Sequence, residues 1–156
     1  MTSQHGEDEI LEDVFHRLGV SRGFCVEVGV WDGRHYSNTH NLIVNHGWSG
    51  ALIEARIDRF EDLVETYKDR HDVVKIGWMV GFDHPDTLDD ILKEAKISTD
   101  IDLLSIDIDG NDYHVFESMK EFLSKVVVIE FNPSFPNHIP FVQARDLSIN
   151  HGSSIL

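Results

Sequence analysis

Phe24-Cys25-Val26-Glu27-Val28-Gly29-Val30-Trp31-Asp32-Gly33 decides how this chain folds. Phe24 to Val28 is an apolar run broken only by Glu27, the pattern of a short strand covered on both faces. The glycines that follow, spaced Gly29-x-x-x-Gly33, permit a tight turn and let a ligand approach the backbone closely. Beyond them Ser37 to His46 reads as a helix, with Ser37 as its cap and Gly47 past its end. A buried strand, a glycine-bearing turn and a helix open a βαβ unit.

The same alternation runs outward in both directions. Before it, Ile10, Leu11, Val14, Phe15 and Leu18 recur at helical spacing over Glu9 to Leu18, and Gly19 stops the helix. After it come a strand over Ala51 to Glu54, a helix over Asp58 to Asp69 and a strand over Val73 to Ile76. A helix over Thr87 to Ala95, a strand over Asp102 to Asp107, a helix over Asp112 to Leu123 and a strand over Val126 to Glu130 complete the series. Strands that alternate with helices join by right-handed crossovers into a parallel sheet. The expected fold is α/β: a Rossmann-like three-layer αβα sandwich on a mostly parallel sheet of about five strands.

Size and composition set bounds. The 156 residues suit one domain, and an apolar fraction of 41% supports a real core. No apolar run is long enough to span a membrane, and the polar, acidic stretch Met1 to Asp13 is not a signal peptide. A lone cysteine, Cys25, fits a reducing, cytoplasmic setting and reads as core filler. The formal net charge of −15 repels phosphate backbones and argues against nucleic-acid binding. It also simply keeps a surface soluble.

In doubly wound folds the ligand sits beyond the carboxyl ends of the strands. Four of the five predicted strands end on or beside an acid: Glu27, Glu54, Asp107 and Glu130. A pyrophosphate needs closer glycine spacing and a bare helix N-terminus, and Glu27 and Asp32 would repel it. Such acids suit a cofactor that carries an ammonium and a sulfonium. Glu54, ending the second strand, stands where an acid accepts hydrogen bonds from ribose hydroxyls. An ordinary βα loop and a surface acid would read the same way taken singly, but together they fall in register.

Ser105-Ile106-Asp107-Ile108-Asp109-Gly110-Asn111-Asp112-Tyr113-His114 is the second concentration of polar groups. Its hard oxygens, with Glu130 and Asn132 on the neighbouring strand, could hold Mg²⁺ and polarise a substrate hydroxyl. Without a metal, Asp107 or Asp109 binds substrate and His114 acts as general base. The same residues also suit a turn at Asp109-Gly110 and a cap at Asp112. Asn132 to Phe141, with three prolines, reads as a loop over the active face, offering Phe135, His138 and Phe141. The 10 histidines show no zinc-type spacing. Trp31 lies in the ligand loop, where it could flank the ligand; Trp48 reads as core, and so does Trp78, with an approach to a nucleoside base as its alternative.

Taken together, Glu27 to Gly33, Ala51 to Glu54, Asp102 to Asp112 and Val128 to Pro133 resemble class I S-adenosylmethionine-dependent methyltransferases. The Ile106-Asp107-Ile108-Asp109-Gly110 block is similar to the FkbM-like branch. The resemblance runs from about Gly23 to Phe135. It implies S-adenosylmethionine as cofactor, with Glu27, Gly29 and Gly33 at the methionine end and Glu54 on the ribose. Trp31, Ala55 and Asp107 join the cofactor set, Asp107 near the transferred methyl. Some members of that class bind Mg²⁺ with acids like Asp107, Glu130 and their neighbours; the residues themselves add Asn132 to the expected metal set and make Asp107, Asp109 and His114 the expected catalytic set.

The expected reaction is methyl transfer to an oxygen of a small hydroxylated molecule, a sugar or natural product, with no nucleic acid or membrane as partner. A non-catalytic nucleoside-binding or assembly module is the alternative; a dehydrogenase is disfavoured by the glycine spacing. The class normally carries strands beyond the fifth, and these are missing from the chain as read to Leu156. The expected layout is a single domain, 1–156, with an N-terminal helix in 1–22. The cofactor core follows in 23–131, and 132–156 holds a substrate-side loop and the start of a cut-short helix. An apolar fifth strand left at the edge invites a homo-oligomer that covers it.

Overall fold

The computed structural model describes residues 3–130, 138 and 141–148. Its elements are α1 (Glu7–Leu18), β1 (Phe24–Val28), α2 (His40–His46), β2 (Ser49–Ile53) and α3 (Ile57–Thr66). They continue with β3 (Val73–Ile76), α4 (Leu88–Glu94), β4 (Asp100–Ile106), α5 (Asp112–Ser118) and β5 (Leu123–Ile129). All strand pairs are parallel, in the order β3-β2-β1-β4-β5. The strand order therefore reverses between β1 and β4, the place where such sheets bind ligands.

Alternation along the strands builds two cores, one on each face. Val26, Val28, Ala51, Ile53, Leu104 and Ile106 face Leu88, Ile91 and Leu92 of α4 and Val115 of α5. Cys25, Leu52 and Leu103 face Leu11 and Phe15 of α1, Leu42 and Ile43 of α2, Leu63 of α3, and Trp48 and Tyr67. This is the three-layer sandwich expected, and burial of each large apolar side chain contributes about 1.5–3 kcal/mol. Cys25 and Trp48 are core residues, as their sequence context implies. Among the described residues β5 lies at the sheet edge, with Leu123 and Val127 exposed. No helix among them is long and apolar enough to cross a membrane.

Three local expectations are corrected. The second helix starts at His40 rather than Ser37, because Glu27 draws in the Ser37 and Thr39 hydroxyls and the Asn38 amide. The fifth helix stops at Ser118 rather than Leu123. There the Asp89 carboxylate of α4 accepts the amides of Lys120, Glu121 and Phe122, which turns the chain into β5. Asp112 does not cap α5. Asn111 holds the N-cap position, and the Asp112 carboxylate reaches back to the amides of Ile108 (2.8 Å) and Gly110 (2.9 Å). The expectations for Asn132, Phe135, the 139–140 stretch and the segment after 148 lie outside the described residues.

Candidate active site

A cleft of about 590 Å³ opens over the carboxyl ends of β1, β2 and β4. Gly29, Trp31, Glu54 and Ala55 line one side of it, and Asp107, Asp109 and Glu130 another. A hollow of similar volume between α1 and α2 is lined by none of the candidate site residues.

Gly29 is shaped by a close approach. Its φ is +81°, and a Cβ there would meet the Asp107 carbonyl oxygen at 1.8 Å. Its amide donates to Ile53 O at 3.0 Å, so the turn is stitched to both neighbouring strands. Trp31 follows in left-handed backbone, φ +55°, and its amide donates to Glu54 Oε2 at 2.8 Å. The other Glu54 oxygen accepts from the Arg56 amide at 2.8 Å. Glu54 is buried and fixed in direction, yet each carboxylate oxygen keeps a further lone pair for a ligand. Arg59 stacks over the Trp31 ring at 4.2 Å.

Glu27 and Gly33 behave differently from their expected roles. Glu27 lines the cleft, but both its oxygens are held internally by Ser37 Oγ (2.7 Å), Asn38 N (2.8 Å) and Thr39 Oγ1 (2.6 Å). Burial raises its pKa against the pull of these hydrogen bonds. Gly33 does not line the cleft. A Cβ there would strike Tyr67 and Leu63 of the α3 side at 2.5 and 2.6 Å, and its carbonyl accepts from Tyr67 Oη at 2.8 Å. Its glycine serves packing rather than ligand approach.

The acids at the ends of β4 and β5 do come together. Asp107, Asp109 and Glu130 each present an oxygen, and these oxygens lie within 4.8 Å of one another. The pairing Ile106↔Ile129 and the bond from Glu130 N to Ile106 O set the two strand ends side by side. Asp109 projects from a left-handed turn, φ +57°, that the Asp112 carboxylate clamps. Burial, then repulsion from Asp112 and Asp109, pushes Asp107 up to about 6. Burial, then repulsion from Asp107, Asp112 and Asp109, pushes Glu130 up to about 7. Glu130 Oε2 is buried and has no hydrogen-bond partner among the described residues.

His114 does not join them. It is buried on α5, away from the cleft lining, and its Nε2 is 2.8 Å from the Gln143 carbonyl. A ring that donates to a backbone carbonyl beneath a covering segment is poorly placed to take a substrate proton. Trp78, read as core, is 51% exposed and lines the cleft. The cleft also recruits Gln4, His35, Tyr36, Arg59 and Met79. Of these only His35 had a signal in sequence, its spacing from Asp32 within one turn.

Residues 86–149 match the family model described as the methyltransferase FkbM domain. That stretch is similar to the FkbM domain. The acid triad lies inside the matched stretch, whereas Gly29 and Glu54 precede it. For the fold of the whole chain, a similar solved structure is a protein assigned as a sarcosine dimethylglycine methyltransferase from Galdieria sulphuraria. The identity is 13% and the TM-score 0.51, over 75% of this chain and 42% of that one. The chain thus spans under half the length of that protein. A SAM-dependent methyltransferase from Aquifex aeolicus aligns at 11% identity and a TM-score of 0.49, covering 86% of this chain and 72% of that one. Among curated proteins, none matches. The α/β fold expected from the sequence is thus similar to that of the Galdieria sulphuraria protein.

Proposed function

We propose that this chain binds S-adenosylmethionine in the β1–β2–β4 cleft and transfers its methyl group to an oxygen of a small hydroxylated molecule, with Mg²⁺ at the acid triad. The observation that carries the reading is one cleft shared by a backbone-anchored Glu54 and a cluster of three acids.

The cleft suits such a cofactor. Glu54 offers its free lone pairs where ribose hydroxyls would donate, and Trp31, Ala55, Trp78 and Met79 give apolar walls beside it. Gly29 leaves the backbone bare at the centre of the floor. The acids across the switch point favour a ligand with cationic groups.

The donor set also suits a hard divalent ion. Asp107, Asp109 and Glu130 supply only oxygen ligands, and the repulsion that raises Asp107 and Glu130 is relieved by a cation. When bound, the ion polarises a hydroxyl and the cofactor supplies the methyl. The chain's own contribution is mainly orientation of donor and acceptor. Where no ion is bound, Asp107, raised into the neutral range, is matched to accepting a hydroxyl proton, with Asp109 beside it to bind the acceptor. Asn132 belongs to the proposed ligand set from sequence alone.

Transfer of radiolabelled methyl from S-adenosylmethionine to a panel of sugars and phenolic hydroxyl compounds tests the proposal, with and without Mg²⁺. Labelled ether product that depends on Asp107 supports it. Cofactor binding without label transfer to any hydroxyl would favour a nucleoside-binding module instead.

A further inference from the structure

The proposed cofactor brings a carboxylate as well as cations, and the cleft that receives it is acidic. Glu27, Glu54, Asp107, Asp109 and Glu130 all line it. Against them stand three basic side chains, His35, Arg56 and Arg59. Arg56 and Arg59 sit at the start of α3, on the Glu54 side. Arg56 is paired with Asp58 at 2.7 Å, and Arg59 lies on the Trp31 ring. His35 belongs instead to the arm of the loop that leads back to Glu27 and α2.

His35 is held in a fixed direction. Its Nδ1 lies 2.6 Å from Asp32 Oδ2. The other Asp32 oxygen accepts the amides of Arg34 (2.9 Å) and His35 (2.8 Å), so the aspartate cannot swing away without breaking the turn. With Nδ1 engaged by Asp32, Nε2 is the ring nitrogen left for a ligand. The His35 side chain is 70% exposed at the cleft. Glu27, the residue expected to face the methionine end, has its oxygens already engaged.

We infer that His35, oriented by Asp32, binds the carboxylate of the cofactor's methionyl end through Nε2–H. This rests on the cofactor reading above. Because the His35 side chain is exposed, such a bond contributes up to about tenfold in affinity. Arg59, on the nucleoside side, does not discriminate between ligands with and without that carboxylate.

The test is calorimetric titration with two named probes. S-adenosylhomocysteine carries the carboxylate; 5′-deoxy-5′-methylthioadenosine keeps the nucleoside and thioether but lacks it. In the wild-type chain S-adenosylhomocysteine binds more tightly. His35→Ala weakens it by up to about tenfold and leaves methylthioadenosine unchanged, while Arg59→Ala affects both alike. Asp32→Asn shifts S-adenosylhomocysteine in the same direction as His35→Ala. His35→Gln preserves side-chain bulk and guards against a folding defect. If His35→Ala and His35→Gln change both probes equally, or neither, the inference fails and the cofactor site stands. If the wild type binds neither probe, the cofactor reading itself fails.

Discussion

Gly29 lies so close to Asp107 that a Cβ on the glycine would stand 1.8 Å from the aspartate's carbonyl oxygen. The ligand turn after β1 and the acid-bearing end of β4 are thus one packed unit. Gly29→Ala must move backbone and also adopt a φ of +81° that alanine resists. It is expected to cost at least about 2–3 kcal/mol, seen as a lower denaturation midpoint. Gly19→Ala is the control. Gly19 has a φ of +71° with nothing within 4 Å of its Cβ position, so it costs only about 1–2 kcal/mol.

Stability should fall as Asp107 and Glu130 ionise. Asp107 is raised from 3.8 to about 6 and Glu130 from 4.5 to about 7, so the folded chain holds these protons more tightly than the unfolded one. Their contribution is full below the unfolded values and is lost as pH rises through about 6 and 7. In EDTA, Glu130→Gln should match the wild type near pH 4 and melt higher than it near pH 8. Thermal melts of the two proteins across that range check the sign. A wild type that outlasts Glu130→Gln at pH 8 would contradict it.

A cation should reverse that effect. At pH 8, Mg²⁺ at about ten times its Kd is expected to raise Tm by roughly 3–5 °C. The rise should vanish in Asp107→Asn and return to the EDTA value on chelation. Scanning calorimetry with matched ionic strength separates binding from general screening.

Asp112 offers a further test of how the site is held. Its carboxylate anchors the Ile108 and Gly110 amides on either side of Asp109. Asp112→Ala leaves both amides without their acceptor in a buried turn, at a cost of about 2–3 kcal/mol. It should also blunt the Mg²⁺-induced rise in Tm, because Asp109 loses its fixed position.

Local pattern sufficed where the chain is locally consistent. Phe24–Val28 and Val73–Ile76 are strands over the residues their apolar runs mark. The order of elements, the parallel sheet and the acids at the strand ends follow from the same alternation. Elsewhere distant partners prevailed. Ser49-Gly50 and Asp100-Ile101 extend β2 and β4 beyond their apolar runs because Phe24, Cys25, Leu123 and Ser124 pair with them. The end of α5 is set by Asp89, some thirty residues away, and no periodicity around Phe122 shows it. His114 looked accessible beside Asp112 in sequence, but the 141–148 segment covers it through Gln143. Glu27 looked free to meet a ligand, but the hydroxyls that engage it come from the loop ahead of α2. The triad itself was partly legible: Asp107 and Glu130 were paired from sequence, and the turn that adds Asp109 depends on Asp112.

The central claim is that Glu54 and the Gly29 turn form an S-adenosylmethionine site, and calorimetric titration of the wild type against Glu54→Ala tests it most directly. One equivalent of S-adenosylmethionine should bind the wild type with a Kd of roughly 1–100 μM. Glu54→Ala, which removes the ribose acceptor and frees the Trp31 and Arg56 amides, should weaken it by at least about tenfold while the protein stays folded. No binding heat from the wild type at millimolar cofactor, or equal affinity in the two proteins, would contradict the account.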